Sequence, residues 1–393
     1  MASRSAKYWR EASTLILAAR IPKSATPATH STVLPRIKLP PADYNLLMLK
    51  RSKHSRFLPE VHVFPGGVAS DIDFTAQWDD VFRSVSGQTL TDVGSELACS
   101  GPRPPCIQEE NPGMPSDVAF RICAIRETFE ESGILLAMNS NQLKERREKK
   151  NTKACVVDYN LLRDWRTQVE KDENNFLKLC WELQVVPDVW ALTEWCNWLT
   201  PVMRPVSEAP KKPTRYDTMF YLSCFDGEGM PYSEPDNQET FSPEWYMPPE
   251  YIGYSSSELR IFGPQLLELG RLCQIPRLAD LEVFAKERAK LGTERWMNHY
   301  VQCKDGVVVA LPGDDLIPAE LDYEGTSGKW PKVVDATLQE LTDGVERLNR
   351  VFRGEHPSDK SHDHRPFLCT VKQKYGHLTP LTRDGLITPS LVW

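Results

Sequence analysis

The sequence predicts a mixed α/β (α+β) fold, and three observations carry that prediction. Apolar runs at 12–19, 44–49 and 61–64 have the length of strands and are bounded by Pro, Gly and Ser. The stretch 117–131 is apolar on most sides yet carries three glutamates at i, i+3 and i+4, which a helix of 3.6 residues per turn gathers on one side. Segments 158–183, 256–273 and 277–291 repeat apolar residues at helical spacing.

Taken in order, residues 12–19 form a first strand, and 21–42, with five prolines, a loop. Strands follow at Tyr44–Leu49 and Val61–Phe64. Residues 68–116 read as an insertion with a short helix near 75–85 and a mobile remainder at 86–114, where Gly, Ser and Pro show no period. A helix from 117 to 131 is capped by Ser116 or Asp117 and ended by Gly133, since the left-handed C′ position favours glycine. The charged run 141–153 reads as a surface linker. Leu161, Leu162, Trp165, Val169, Phe176 and Leu179 predict helix, and a second helix is expected to carry Trp190, Trp195 and Trp198. Tyr216–Cys224 returns to strand. Trp245 to Glu250 reads as strand end into helix, and a helical pair is broken at Pro276. Val307–Leu311 is a strand, 335–352 a helix and Pro366–Val371 a last strand.

Composition sets limits. With 26% charged and 40% apolar residues the chain is an ordinary globular one. A net charge of −7 gives no support for nucleic-acid wrapping or anionic membranes. Leu15–Ala19 is too short to span a bilayer or to serve as a signal-peptide core, and reads as a buried strand. Ten cysteines contain no C-x-x-C; Cys99 and Cys106 bracket a Pro-rich loop, and reduced thiols are expected. His362-Asp363-His364 lies in a polar loop without partner spacing and reads as solvent-exposed rather than as a zinc site.

The chemistry centres on Arg126-Glu127-Thr128-Phe129-Glu130-Glu131-Ser132-Gly133. Three clustered anions repel one another unless a cation sits among them, and oxygen-only donors favour a hard ion such as Mg2+ or Mn2+. A solvated acidic face is the bland alternative. Against it, the apolar residues around the other sides, from Ala119 to Phe129, imply a helix packed on several sides, so that the acidic stripe lines a cleft. Arg126 precedes Glu130 by four, which suits an ion pair across one turn.

This run resembles the second half of the Nudix box, G-x5-E-x7-R-E-U-x-E-E-x-G-U (U, bulky apolar). Phe64-Pro65-Gly66-Gly67 resembles its start, 59 positions before Arg126, so the insertion splits the box. A split box is similar to the motif-19 branch of the Nudix hydrolases, acyl-coenzyme A diphosphatases. Asp117–Ala124, Pro187–Leu192, Trp195-x-x-Trp198-Leu199-Thr200-Pro201, Arg215–Thr218 with Phe220-Tyr221, and Leu311–Asp315 extend the likeness from about 9 to 378.

The resemblance implies a Nudix α/β/α sandwich with a mixed sheet over residues 9–254, a box at 67–134, a helical insert at about 155–200, and a mainly helical C-terminal extension over 255–393. It implies metal ligation by Glu127 and Glu131, shared by Glu130, and a base outside the box, with Glu239 at the matching place and Glu244, Glu234 and Asp236 beside it. Two departures stand out. Thr128 replaces a bulky apolar residue, and the first box glutamate is missing; Val118 lies eight before Arg126, while Asp73, six after Gly67, is the only acid at the expected distance from the glycine. The metal set is therefore expected to rest on the second half.

Upstream, Leu47-Met48-Leu49-Lys50-Arg51, Arg56, Glu60 and Phe64-Pro65-Gly66-Gly67 match the coenzyme A signature L-L-T-x-R-x3-4-R-x3-G-x3-F-P-G-G, with Leu49 for threonine and Glu60 for glycine. Arg51, Lys53 and Arg56 are thus expected at substrate phosphates, against the alternative of an exposed basic hairpin. Gly66 and Gly67 let backbone approach a phosphate, and Arg215 is a further substrate candidate. The implied reaction turns coenzyme A or its acyl thioesters into 3′,5′-ADP and (acyl-)4′-phosphopantetheine; another nucleoside-diphosphate derivative and a non-catalytic binding module are the rival readings. The expected partner is a small molecule, not nucleic acid. The resemblance implies a peroxisomal, soluble intracellular protein, but the tail Ser390-Leu391-Val392-Trp393 lacks an S-K-L-like ending, which leaves mitochondrial and cytosolic placements open. Arg4, Lys7 and Arg10 read as a disordered basic start.

Overall fold

The computed structural model describes residues 8–22, 40–53, 60–149, 153–203, 215–227, 229–235, 241–254, 261, 263–318, 320–327, 329, 332–354 and 367–381. Arg56, Asp236, Glu239 and His362–His364 lie outside these residues.

The chain opens with β1 (Arg10–Arg20), β2 (Tyr44–Arg51), β3 (His62–Val63) and β4 (Gly66–Val68), then α1 (Trp78–Ser86), α2 (Leu90–Leu97), α3 (Pro105–Gln108) and the box helix α4 (Ser116–Ser132). Next come β5 (Ala137–Met138), α5 (Ser140–Lys149), α6 (Arg163–Lys171), α7 (Asn175–Glu182), β6 (Val186–Pro187), β7 (Thr193–Leu199), β8 (Tyr216–Phe225), β9 (Phe241–Tyr246), α8 (Pro248–Tyr254), α9 (Pro264–Leu272) and α10 (Leu278–Ala289). The last elements are β10 (Arg295–Trp296), β11 (His299–Gln302), β12 (Gly306–Ala310), β13 (Lys332–Val333), β14 (Asn349–Gly354) and β15 (Phe367–Cys369).

The main sheet runs β10-β7-β8-β1-β2-β3, with β4 added to β1 and β9 to β2. It is mixed: β1 lies parallel to β8 from Arg10 opposite Tyr216 to Ala19 opposite Phe225, and antiparallel to β2 and β4. Alternation along β1 and β2 makes the sandwich. Leu15, Leu17, Leu47 and Leu49 face a core shared with α1, α4, α6 and α7; Ile16, Ala18, Leu46 and Met48 face one shared with α8, α9 and α10. Being buried on both sides, β1 needs an unbroken apolar run, and residues 15–19 supply it.

Several expectations need correction. The insertion at 86–114 is not without structure: Thr89 and Asp92 form a reciprocal capping box at the start of α2, and α3 follows. The charged run from 141 is helical in α5, tied down where Arg146 donates to both carboxylate oxygens of the buried Asp188 at 2.7 and 2.8 Å. Neither Ser116 nor Asp117 caps α4 through its side chain; Pro115 holds the cap position. Trp195 and Trp198 lie on strand β7, not a helix. A register shift between Glu194 and Cys196 turns two tryptophans three apart toward one face, which imitates helical spacing. Both indoles donate to the fully buried carboxylate of Glu268 on α9, at 2.7 and 2.9 Å.

Among the described residues the α-helices of the extension are α9 and α10. Beyond them five strands form a second sheet, β13-β11-β12-β14-β15, around Val301, Val308, Ala310 and Phe352. Residues 335–348, spaced like a helix, form turns, and 349–354 is strand β14. Pairing with β12 from Arg350 to Gly354 and the buried Arg350–Asp314 ion pair are non-local forces that override the local pattern. Among the described residues no helix is long and apolar enough to cross a membrane.

Candidate active site

The box helix lies against β1 and β4, and its last turn carries the carboxylates. Gly133 ends it at φ 78°, its N–H donating to the Phe129 carbonyl at 2.8 Å. That stop is what the sequence predicts.

The two box halves, 59 positions apart in sequence, meet here. The Gly66 N–H donates to Glu131 Oε2 at 2.8 Å. Gly67 lies so close to Glu127 that a Cβ at this position would run into its carboxylate. Gly66 has φ 152°, and a Cβ there would strike the backbone of Ser13 and Thr14. Gly66 is therefore required by close approach to backbone, whereas a side chain at 67 would displace the Glu127 carboxylate.

Arg126 is 1% exposed and organises the acids around it. Its Nη1 reaches Glu130 Oε1 at 2.8 Å, the pair expected from the i, i+4 spacing, and Glu127 Oε1 at 3.0 Å. Its Nε and Nη2 donate to the two oxygens of Asp73 at 2.8 and 2.9 Å. Asp73 is fully buried, and Oδ2 also accepts from the Ser70 N–H at 2.9 Å. Asp73, six residues after Gly67, thus holds the arginine. The spacing of six from Gly67 was the only signal of this role.

Glu127, Glu130 and Glu131 form an oxygen-only donor set on one turn, which fits a hard divalent cation. As the side chains stand, no three acidic, histidine or cysteine groups among the described residues converge on one point; Glu127 and Glu130 are turned to Arg126. Burial pushes Glu127 up to about 7, against Arg126 and with Glu130 and Asp73 adding repulsion. Burial also raises Glu130. Both acids are thus costly to ionise without a cation.

A pH effect follows from Glu127. Its folded pKa lies above the ordinary 4.5, so its ionisation destabilises the metal-free fold as pH climbs from about 4.5 to 7, and the cost is constant above that. Glu127→Gln cannot ionise. Between pH 5 and 8.5 in EDTA the variant is expected to gain stability relative to the parent, by on the order of 3 kcal/mol at the alkaline end. Urea midpoints across that range measure it; parallel curves for the two proteins would mean that Glu127 titrates normally.

The other predicted site residues divide. Arg51 ends β2 and pairs in register with Phe241, two residues past Glu239, while Lys53 is exposed. The end of β2 therefore lies beside the start of β9. Glu60, where the signature has glycine, adopts φ 58° and donates its N–H to the Arg51 carbonyl at 3.1 Å. The signature glycine therefore corresponds to a left-handed turn position. Glu244 lies 2.9 Å from His62 Nε2, on the side of β9 opposite Trp245, whose ring packs into the core that contains α4. Glu234 accepts from the Tyr232 hydroxyl at 3.1 Å. Arg215 donates to the Thr200 carbonyl at 2.9 Å and lies over the Trp9 ring. Those contacts are at the β7–β8 end of the sheet, and no bond joins Arg215 to the three glutamates.

A mixed sheet between helical layers, with a glycine turn seated on a carboxylate helix, defines a Nudix-class hydrolase. The model of the NUDT19 Nudix domain matches residues 9–272, and the chain belongs to that family. It is 36% identical over 391 residues to the acyl-coenzyme A diphosphatase NUDT19 of Xenopus laevis, covering 96% of this chain and 97% of that one. The proteins of the same name from Gallus gallus and Homo sapiens are 37% and 36% identical; the alignments cover 95% of this chain and 95% and 94% of theirs. Hydrolases of this family work with divalent cations.

Proposed function

We propose that the protein hydrolyses the diphosphate linkage of coenzyme A and acyl-coenzyme A, giving 3′,5′-ADP and (acyl-)4′-phosphopantetheine, with Mg2+ or Mn2+. The observation that carries this reading is the joining of Gly66 to Glu131 and of Gly67 to Glu127, 65 and 60 positions apart in sequence. It sets backbone that can approach a phosphate beside acids that can hold the cation. Near-full-length likeness to proteins named acyl-coenzyme A diphosphatase supports the choice of substrate.

Glu127, Glu130 and Glu131 would hold the ion. When bound, it neutralises diphosphate oxygens and lowers the pKa of an attacking water. Arg126, locked by Asp73, keeps Glu130 in place. Glu239 is our candidate for the base that takes the water proton. One P–O bond forms to the water oxygen and one breaks to the bridging oxygen, so two phosphate monoesters leave. Arg51, Lys53 and Arg56 are assigned to the 3′-phosphate of coenzyme A.

A substrate panel tests the reading. With Mg2+, coenzyme A is expected to be cleaved at least about tenfold faster than dephospho-coenzyme A, since loss of one charge-assisted phosphate contact costs about 1.5–3 kcal/mol. EDTA should abolish both reactions. Equal rates would remove the basic hairpin from substrate choice and favour ADP-ribose or a dinucleotide. No product across a metal and pH series would leave a binding module.

A further inference from the structure

The sequence gives Arg166 no special mark: it lies mid-way along an amphipathic helix in the insert. In the structure its side chain is 2% exposed and makes bonds to two other elements. Nε and Nη2 donate to the Glu130 carbonyl at 3.1 and 3.0 Å. Nη1 donates to the carbonyls of Glu234 and Pro235 at 3.2 and 3.3 Å. Glu170, one turn along α6, neutralises the charge at 3.2 Å.

Each acceptor has a reason to need this donor. Glu130 lies in the final turn of α4, where helix carbonyls lose their intrahelical partners and the dipole favours a cation. Segment 232–235 is irregular backbone, and its carbonyls need donors too. The same junction is reinforced by the Glu234 N–H donating to the Ser132 carbonyl at 3.1 Å and by Tyr159 packed against Tyr232 at 4.7 Å between ring centroids, the rings tilted by 41°. Gly133 leaves it room: a Cβ there would come within 3.0 Å of the Tyr159 ring and 3.4 Å of Arg166 Nη1. Only a planar fork of donors reaches carbonyls on both elements at once.

We propose that Arg166 is a positioning residue, a buried guanidinium that clamps the carboxylate-bearing end of α4 to the segment that leads, four residues past Pro235, to the candidate base Glu239. On this view the helical insert that contains α6 fixes the carboxylate-bearing turn of α4 against segment 232–235. Arg166 is engaged by protein carbonyls, by Glu170 and, at 3.8 Å, by the Glu234 carboxylate, which suits a positioning role rather than a substrate contact.

The kinetic arm of the test rests on the proposed function; the second arm does not. With coenzyme A and Mg2+, Arg166→Ala and Arg166→Lys are expected to lose about a hundredfold in kcat with KM within about threefold. By hydrogen exchange, Arg166→Ala is expected to free amides 130–134 and 232–235 together while β1 and β8 keep their protection. Tyr232→Ala, at a site 57% exposed, loosens the same segment with no core cavity and is expected to show a smaller kcat loss of the same kind. A folded Arg166→Ala with kcat within twofold of the parent, or with faster exchange confined to α6, overturns the proposal. If that variant does not fold, unchanged kcat and exchange in Tyr232→Ala overturn it. If the parent protein cleaves no diphosphate, the proposed function fails and the exchange experiment alone decides whether the clamp exists.

Discussion

Glu131→Gln is expected to reduce kcat by about a thousandfold or more while leaving the fold intact, which corresponds to about 4 kcal/mol of lost transition-state stabilisation. The reason lies in the two jobs of this side chain. Its Oε2 accepts the Gly66 N–H at 2.8 Å, and a glutamine oxygen keeps that bond. What glutamine removes is one of the three anions we propose to hold the cation against a polyanionic substrate. Removing one charge from a repelling group does not lower metal-free stability. Product chromatography and a thermal melt measure the two outcomes, and a parental rate in this variant would mean that α4 does not carry the metal site.

Asp73→Ala is expected to be the most destabilising change at the site, by about 3–5 kcal/mol. It strips Arg126 of the partner that occupies both Nε and Nη2 and leaves a guanidinium that is 1% exposed short of a counter-charge. Total stabilities of about 5–15 kcal/mol make that a large fraction. Asp73→Asn keeps the shape and the acceptor and is expected to lose less stability, about half as much. Denaturant midpoints decide. If Asp73→Ala unfolds at the same urea concentration as the parent, Arg126 is held by Glu130 and Glu127 alone.

Much of this site was legible in the sequence, because its signals are local. Glu127, Glu130 and Glu131 share a side by helical spacing, Gly133 marks the stop, and Arg126 reaches Glu130 within one turn. The strands also read directly where alternation or a fully apolar run was strong, as in β1. What misled were patterns whose meaning is set by distant partners. The tryptophans of β7 looked helical because a bulge shifts their phase. Residues 335–348 had helical spacing, but β14 pairs with β12. Arg166 looked like any arginine of a surface helix.

From the sequence alone came the chemistry on offer: three acids, an arginine and a glycine stop on one helical turn, and a glycine pair on a strand. The tertiary structure decided how they are used. It brought Gly67 onto Glu127, spent Asp73 on Arg126, and set Arg166 between the end of α4 and the segment before β9. The physical reason is range. Side-chain spacing along one helix is fixed by backbone geometry within a turn, whereas a contact across 60 or more residues, such as Gly67 on Glu127, exists only once the sheet has formed and its two faces have been covered.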